Sequence, residues 1–172
     1  SFRLGSMPSQ NKLDLWPIPQ RIRPLASEPP GEVGGFRLDD TASAQPRHAA
    51  NRLAAELGPR GLLADHDRSE RPCPRVDLSI DPDRLGRPES YHLRLERDRL
   101  RIVGHDPAGL HHGISTFLQL LPRSGTARIP NVEIEDWPSL PERGVMLDVS
   151  RDKVPRMSTL LALIDRFSDW KI

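Results

Sequence analysis

Three histidines, three aspartates, one cysteine and a Ser-Thr pair are the first residues in this chain whose types could do chemistry. His105, His111 and His112 cluster, but a zinc-peptidase helix needs two histidines four apart with a glutamate between them. Here the spacings are six and one, and neighbouring helical residues point about 100° apart. The histidines therefore read as solvent-facing or helix-packing side chains, and no metal is expected. Asp77, Asp81 and Asp83 fall on the polar side of one strand and in the turn after it, which reads as a solvated edge. Ser115 and Thr116 lack a glycine-elbow setting, so a serine hydrolase has no support. Gly31, Gly34 and Gly35 precede a strand, whereas a phosphate-binding loop follows one and opens a helix. The sole cysteine, Cys73 in Arg71-Pro72-Cys73-Pro74, excludes an intramolecular disulfide and any cysteine-rich zinc site. Arg143, Asp148, Ser150 and Arg151 remain, set around the apolar run Val145-Met146-Leu147.

The elements that must position these residues come from a chain of 172 residues, 36% hydrophobic and 28% charged. That is enough apolar material for a modest core. No apolar run approaches the roughly 18 residues a membrane helix needs, so no membrane partner is expected. With 25 basic against 24 acidic residues, the basic excess of a nucleic-acid protein is missing too. Residues 1–11 read as an expression-tag remnant, Ser1 to Ser6 ahead of Met7, and a lead-in. No basic-then-apolar leader follows Met7, which favours the cytoplasm over secretion.

Residues 12–136 read as one α+β domain. The proline-rich stretch through Trp16-Pro17-Ile18-Pro19 to Pro30 suits an extended lead-in along a sheet edge, and Phe36-Arg37-Leu38 begins a short strand. Pro46 opens a helix with Ala49, Leu53, Ala54 and Leu57 on one face and Gly58 as its stop. Gly61 to Pro74 reads as a loop. Val76, Leu78 and Ile80 alternate with Asp77 and Ser79; Tyr91, Leu93 and Leu95 alternate with His92, Arg94 and Glu96. Glu96-Arg97-Asp98-Arg99 reverses the chain into a strand carrying Leu100 and Ile102. Asp106 caps and Pro107 begins a second helix with Leu110, Ile114, Phe117, Leu118 and Leu121 on its apolar face, ended by Pro122. Gly109 and Gly113 give that helix a small stripe for close approach to the sheet. Val132-Glu133-Ile134 supplies the last strand. The expected architecture is two-layered: a mainly antiparallel sheet with two helices on one face.

Residues 137–172 read as something else. Gly144 to Asp148 is expected to form a short strand, with Asp148 and Ser150 starting a loop. Pro155 stands where a first helical residue would, and Met157, Leu160, Leu161, Ile164 and Phe167 recur at helical spacing. Strand, polar loop and amphipathic helix form the first unit of a parallel α/β fold, and Trp170-Lys171-Ile172 looks like the approach to a second strand. The apolar stripe of helix 155–170 has no partner in one such unit. It is expected to fold back on the first domain or to pair with a second copy in a homodimer.

The strand Glu89-Ser90-Tyr91-His92-Leu93-Arg94-Leu95 and the run from Asp106 to Leu120 resemble the amino-terminal α+β domain of family 20 glycoside hydrolases, the β-N-acetylhexosaminidases. The pattern there is a Tyr-x-Leu strand, a turn, then a helix reading Gly-x-x-x-Gly-x-x-Thr-x-x-Gln-Leu. The run Asp136-Trp137-Pro138 through Arg143-Gly144-Val145-Met146-Leu147-Asp148-Val149-Ser150-Arg151 is similar to the family's lead into its (β/α)8 barrel. The resemblance implies a zincin-like accessory domain followed by a truncated first β-α unit of a TIM barrel. It also implies substrate-assisted retaining hydrolysis of terminal N-acetylhexosamine, an exception to the two-carboxylate scheme. The family's adjacent Asp-Glu pair is absent from this chain, so no catalytic residue is assigned and the chain alone is expected to be inactive. No cofactor is implied, and the partner is an N-acetylhexosamine-containing glycan bound through the barrel. One site residue carries over: Arg143 matches the arginine that binds hydroxyls of the terminal sugar, where a planar fork suits two adjacent oxygens. Barrel active sites lie at the carboxy-terminal strand ends, which would favour Asp148, Ser150 or Arg151; Arg143 reaches the sugar only as a long inward-pointing side chain. Asp148 and Arg151 otherwise read as a loop cap or an ion pair. The family usually has an aromatic residue or histidine near Asp152 and Lys153, where this chain has a charged pair. Two other classes compete. A carbohydrate-binding or protein-interaction module would need an aromatic platform, and the eight aromatic residues look scattered in sequence; a metallopeptidase-like domain lacks His-Glu-x-x-His.

Overall fold

Period-two alternation builds the sheet, and a capped helix with a glycine stripe covers it. A computed structural model of the chain describes residues 13–25, 31–38, 44–64, 71–122, 127–148, 150 and 154–172. In chain order the elements are β1 (Arg21–Pro24), β2 (Gly31–Val33), β3 (Arg37–Leu38), α1 (Ala44–Leu57), β4 (Arg75–Ile80), β5 (Tyr91–Leu95), β6 (Arg99–Gly104), α2 (Pro107–Gln119), β7 (Ala127–Ile129), β8 (Val132–Asp136) and α3 (Met157–Asp169). Six strands form one sheet in the order β1-β8-β5-β6-β4-β3, and β2 pairs with β7 apart from it. The large sheet is mainly antiparallel: β1/β8, β8/β5 and β5/β6 run antiparallel, while β6/β4 and β4/β3 run parallel. The reversal at Glu96 is closed by its N–H donating to Arg99 O at 2.8 Å. Pro24 lies on the edge strand β1, where a missing donor costs no ladder bond.

Helices α1 and α2 pack on each other and against the sheet. The core between them holds Phe36, Leu53, Leu57, Tyr91, Leu93, Leu95, Leu100, Ile102, Ile114 and Phe117, all fully buried. Phe36 meets Phe117 edge to face, ring centroids 4.9 Å apart, a favourable aromatic geometry. The glycine stripe does what its spacing predicts: a Cβ at Gly109 would stand 2.1 Å from Ser90 O, and one at Gly113 would stand 2.5 Å from Ile102 Cγ2. The sheet's other face carries charge pairs such as Arg21–Glu135 at 2.9 Å and Arg94–Glu96 at 2.8 Å. Exposed pairs like these contribute little to stability.

Several boundaries differ from expectation for local reasons. Helix α1 starts at Ala44, with Pro46 inside its first turn, where backbone N–H groups have no helical partner in any case. Helix α2 ends at Gln119, with Leu120 N–H turning back to Phe117 O, before Pro122 is reached. Strands β2 and β7 carry three residues each, too few to show a period. Residues 65–70 of the loop expected from Gly61 to Pro74 lie outside the described residues; of the rest, Leu63 bridges Phe36 and residues 71–74 carry no strand or helix.

The largest correction concerns the tail. Residues 142–148 form no strand, and Val145, Met146 and Leu147 are exposed. A strand is held by ladder bonds to neighbours, and no described strand pairs with this segment. Helix α3 begins at Met157 with Arg156 as its N-cap, so Pro155 stands ahead of the helix instead of in its first position. None of its residues is fully buried, and Met157, Leu161 and Ile164 face solvent. Its far end returns to the first domain through Arg52–Asp169 at 2.9 Å.

Candidate functional site

Three segments meet at one end of the sheet: the turn before β5, the end of β8, and the residues just after α3. The turn is set by α2. Asp106 caps that helix, its Oδ1 accepting from Gly109 N–H at 2.7 Å, while its Oδ2 accepts from Glu89 N–H at 2.8 Å. With Gly109 pressed against Ser90 O, the cap holds Glu89 at φ 59°, a left-handed conformation uncommon for any residue with a Cβ.

Lys171 enters this junction from the tail and is only 8% exposed. Its ammonium donates to Asp136 Oδ2 at 2.9 Å and to Tyr91 Oη at 3.1 Å. The Tyr91 hydroxyl donates to the same Asp136 oxygen at 3.1 Å and lies 2.6 Å from Thr116 Oγ1, while Gln20 N–H donates to Asp136 Oδ1 at 3.2 Å. Burial pulls the Lys171 pKa down, opposed by the Asp136 charge. Burial and then Asp136 push the Tyr91 phenol up, so it stays protonated. Buried charge is tolerated only when paired and hydrogen-bonded, and this network meets that condition.

Arg143, the one site residue expected from sequence, closes the same junction. Its Nε donates to Lys171 O at 2.8 Å and its Nη1 to Leu140 O at 2.8 Å, while Nη2 pairs with Glu89 Oε2. A guanidinium has five N–H donors, so two remain without a partner among the described residues. His112 Nδ1 lies 3.9 Å from the same Glu89 oxygen. Burial, then the Lys171 charge, lowers the His112 pKa and keeps the ring neutral.

Above these groups opens a cleft of about 590 Å³ that takes in Trp16, Trp137 and Trp170. These are all the tryptophans the chain has. The aromatic residues that look scattered in sequence are therefore partly gathered by the fold. Trp16 is held by its backbone, donating to Gln119 Oε1 at 2.8 Å and accepting from Gln119 Nε2 at 2.7 Å. Trp137 has the Arg87 and Arg21 guanidinium groups 4.6 and 5.2 Å from its ring centroid, within cation–π range.

His111 ties α3 to α2, its Nε2 2.7 Å from Ser168 Oγ. Burial first, then the Arg52 and His112 charges, lower its pKa to about 4. A histidine held below its ordinary value favours folding while neutral. Its contribution is complete above about pH 6.5 and is lost as pH falls toward 4. Urea unfolding across that window should show a smaller loss of stability for His111→Gln than for the unaltered chain. Identical pH dependence would contradict the assignment.

The other sequence candidates do structural work. His105 Nδ1 contacts Leu85 O, and among the described residues no three His, Cys, Asp or Glu side chains converge as a metal site. Asp77 lies 3.3 Å from Arg99 and 3.8 Å from Arg75, and Asp81 caps its turn by accepting from Arg84 N–H at 3.0 Å. Ser115 Oγ donates to His111 O at 3.2 Å and accepts from Arg52 at 3.0 Å. The Cys73 thiol reaches Arg71 O at 3.5 Å. Asp148 acts as a loop cap, accepting from Ser150 N–H at 2.8 Å; Arg151, Asp152 and Lys153 lie outside the described residues. Sequence reasoning missed Glu89, Asp136 and Lys171. A signal existed for Asp136: alternation along β8 puts it on the buried side with Val132 and Ile134, where a carboxylate requires a cation.

The profile of Glycosyl hydrolase family 20, domain 2, matches residues 12–137. The chain belongs to family 20. Over 78 residues this family 20 chain is 37% identical to the beta-hexosaminidase subunit alpha of Bos taurus, covering 44% of itself and 15% of that relative. Among solved structures, the GH20 beta-N-acetylhexosaminidase of Streptomyces coelicolor A3(2) superposes with a TM-score of 0.71 at 29% identity, covering 92% of this chain and 33% of that one. A glycoside hydrolase family 20 beta-N-acetylglucosaminidase gives 0.69 at 32% identity, covering 91% of this chain and 29% of that one. The family 20 chain therefore spans 15% of the curated relative and about a third of the solved chains. Residues 1–137 are a smaller share of the chain than these structural matches cover, so the likeness runs past Trp137 into the tail.

Proposed function

We propose that the chain is the zincin-like accessory domain of a β-N-acetylhexosaminidase, about residues 12–136, joined to the first strand and helix of its catalytic barrel, residues 137–172. The observation that carries this reading is the family 20 match over 12–137 together with structural likeness continuing beyond it. In the longer protein, neighbouring barrel strands would supply the ladder partners that Val145 to Asp148 lack here. They would also cover the exposed Met157, Leu161 and Ile164 stripe; a second copy of the chain is the other surface that could do so.

The reaction proposed for the longer protein is hydrolysis of terminal N-acetylhexosamine. The sugar's own 2-acetamido oxygen attacks the anomeric carbon, the glycosidic bond breaks, and a glutamic acid protonates the departing oxygen. An aspartate orients the acetamido group, and water then opens the cyclic intermediate with retention at the anomeric carbon. In this chain no Asp is followed directly by Glu, so its proposed part is to bind and orient. Arg143 is the residue proposed to donate to two adjacent sugar hydroxyls, and its two uncommitted N–H groups are the number such a contact needs.

The test compares the chain alone with the protein extended by its natural downstream sequence. With an aryl N-acetyl-β-glucosaminide, the chain alone should release no aryl alcohol above buffer, while the extended protein should turn it over. Turnover by the pure chain, or a natural reading frame that continues without strand–helix units and an Asp-Glu pair, would overturn the proposal.

A further inference from the structure

We propose that the open face of the large sheet, turned away from α1 and α2, docks an acidic glycan, with Arg84 and Arg101 as the donors for its sulfate or carboxylate groups. The choice of a glycan rests on the proposed function, whereas anion binding at this face stands on the residues alone.

Three observations carry it. First, register sets cations against one another on this face. The outer pair β1/β8 matches opposite signs, Arg21 with Glu135 and Arg23 with Glu133. Further in, Arg94 stands opposite Arg101 across β5/β6, and Arg99 stands beside Arg75 across β6/β4. Like charges directly opposite one another destabilise a sheet, so stability gives no reason for the arrangement. Second, cations exceed their counter-charges. A cleft of about 260 Å³ on this face holds Arg84, Arg94, Arg99 and Arg101 against two carboxylates, Glu96 and Glu133. Arg94 takes up Glu96 at 2.8 and 2.9 Å, while Arg23 and His92 take up Glu133, the latter at 3.0 Å. Arg99 reaches Asp77 at 3.3 Å. Arg84, in the turn after β4, and Arg101 are exposed, and their guanidinium groups make no hydrogen bond or ion pair among the described residues. Third, His92 lines the same cleft at 7% exposure, and its buried Nδ1 has no hydrogen-bond partner among the described residues. Buried polar atoms are normally paired, and this one stands in the wall of the arginine cleft.

The tail leaves this face clear, because it joins the domain on the helical side. Ser168 Oγ lies 2.7 Å from His111 Nε2 on α2, and Arg52 on α1 donates to Asp169 at 2.9 Å. A single-stranded nucleic acid fits the face less well, since it needs aromatic rings on which to stack its bases. The cleft is lined by no Phe, Tyr or Trp.

The test titrates a heparin-derived hexasaccharide into the 15N-labelled chain at low salt. Amide shifts should centre on β5, β6 and the turn carrying Arg84. Raising the salt to about 150 mM should weaken binding about tenfold, because screening is then strong beyond about 8 Å. Arg84→Gln and Arg101→Gln should each raise Kd about fivefold or more. Both variants should melt no earlier than the unaltered chain, since neither guanidinium holds a described residue and Arg101→Gln relieves a like-charge pair. Arg166→Gln removes the same charge from an exposed position on α3 and should leave Kd within about twofold, as surface charge far from the site is largely screened. An uncharged N-acetylglucosamine hexasaccharide should produce no shifts on this face, and a single-stranded oligonucleotide of matched charge should bind more weakly than the heparin fragment. No binding at low salt, equal losses for Arg166→Gln, shifts centred away from β5 and β6, or equal shifts from the uncharged sugar would overturn the proposal. Tighter binding of the oligonucleotide would overturn the glycan as the partner. Binding is read on the chain itself, so an extended protein without hydrolytic activity would defeat the proposed reaction and leave this result standing.

Discussion

Asp136→Ala should destabilise the chain by about 3 kcal/mol and release the segment that follows α3. Lys171 is 8% exposed, and its ammonium has two partners, Asp136 Oδ2 at 2.9 Å and Tyr91 Oη at 3.1 Å. Deleting one member of a buried ion pair leaves an uncompensated charge and typically costs about 3–5 kcal/mol. The lower end is expected because Lys171 sits on a tail that can swing into water. The deletion also strips acceptors from Tyr91 Oη and from Gln20 N–H. At roughly 2–4 °C per kcal/mol for a chain of this size, Tm should fall by about 6–12 °C, and protease should cut beyond Trp137 sooner. Because an apolar pair of similar volume is often as stable as a buried ion pair, Lys171→Met added to Asp136→Ala should recover part of the loss. A single variant with unchanged Tm and proteolysis would show that the junction does not hold the tail.

Gly109→Ala should be among the most damaging single methyl additions in the domain. Helix propensity alone would make it favourable by about 1 kcal/mol. Packing opposes this, because the added Cβ would lie 2.1 Å from Ser90 O and 3.0 Å from the Glu89 carbonyl carbon. Both neighbours are backbone, fixed between β5 and the Asp106 cap, and cannot rotate away. Overpacking of this kind commonly costs about 1–3 kcal/mol and occasionally more; the upper end, about 3 kcal/mol or beyond, is expected here. Gly86 has nothing within 4 Å of a built Cβ, so Gly86→Ala is the control and should leave urea unfolding unchanged. Stabilisation by Gly109→Ala would mean that α2 does not sit against the Glu89–Ser90 turn.

What the sequence made legible follows from the range of the signals it carries. The Tyr91–Leu95 alternation, the Asp106-Pro107 cap and the Gly109/Gly113 stripe are local patterns, and each appears in the fold where it was expected. The parallel placing of β4 beside β6 is set by a crossover that no local period reports. Strand formation at Val145 to Asp148 depends on neighbours outside the segment, so an apolar run in the sequence was not enough to make a strand. Arg143 was picked out by resemblance, whereas its partners Glu89 and Lys171 lie 54 and 28 residues away. Such a junction is visible only once the chain is folded. Asp136 is the exception, since its place on the buried face of β8 was within reach of simple alternation.

The central claim, that this family 20 chain is part of a hexosaminidase whose substrate supplies its own nucleophile, is tested most directly by changing the substrate's 2-substituent. The protein extended by its natural downstream sequence would be assayed on an aryl N-acetyl-β-glucosaminide and on the matching aryl β-glucoside, which carries a hydroxyl in place of the acetamido group. The account predicts turnover of the first, with the β-anomer as the initial sugar product, and no turnover of the second above buffer. Equal hydrolysis of the two, or initial release of the α-anomer, would contradict it.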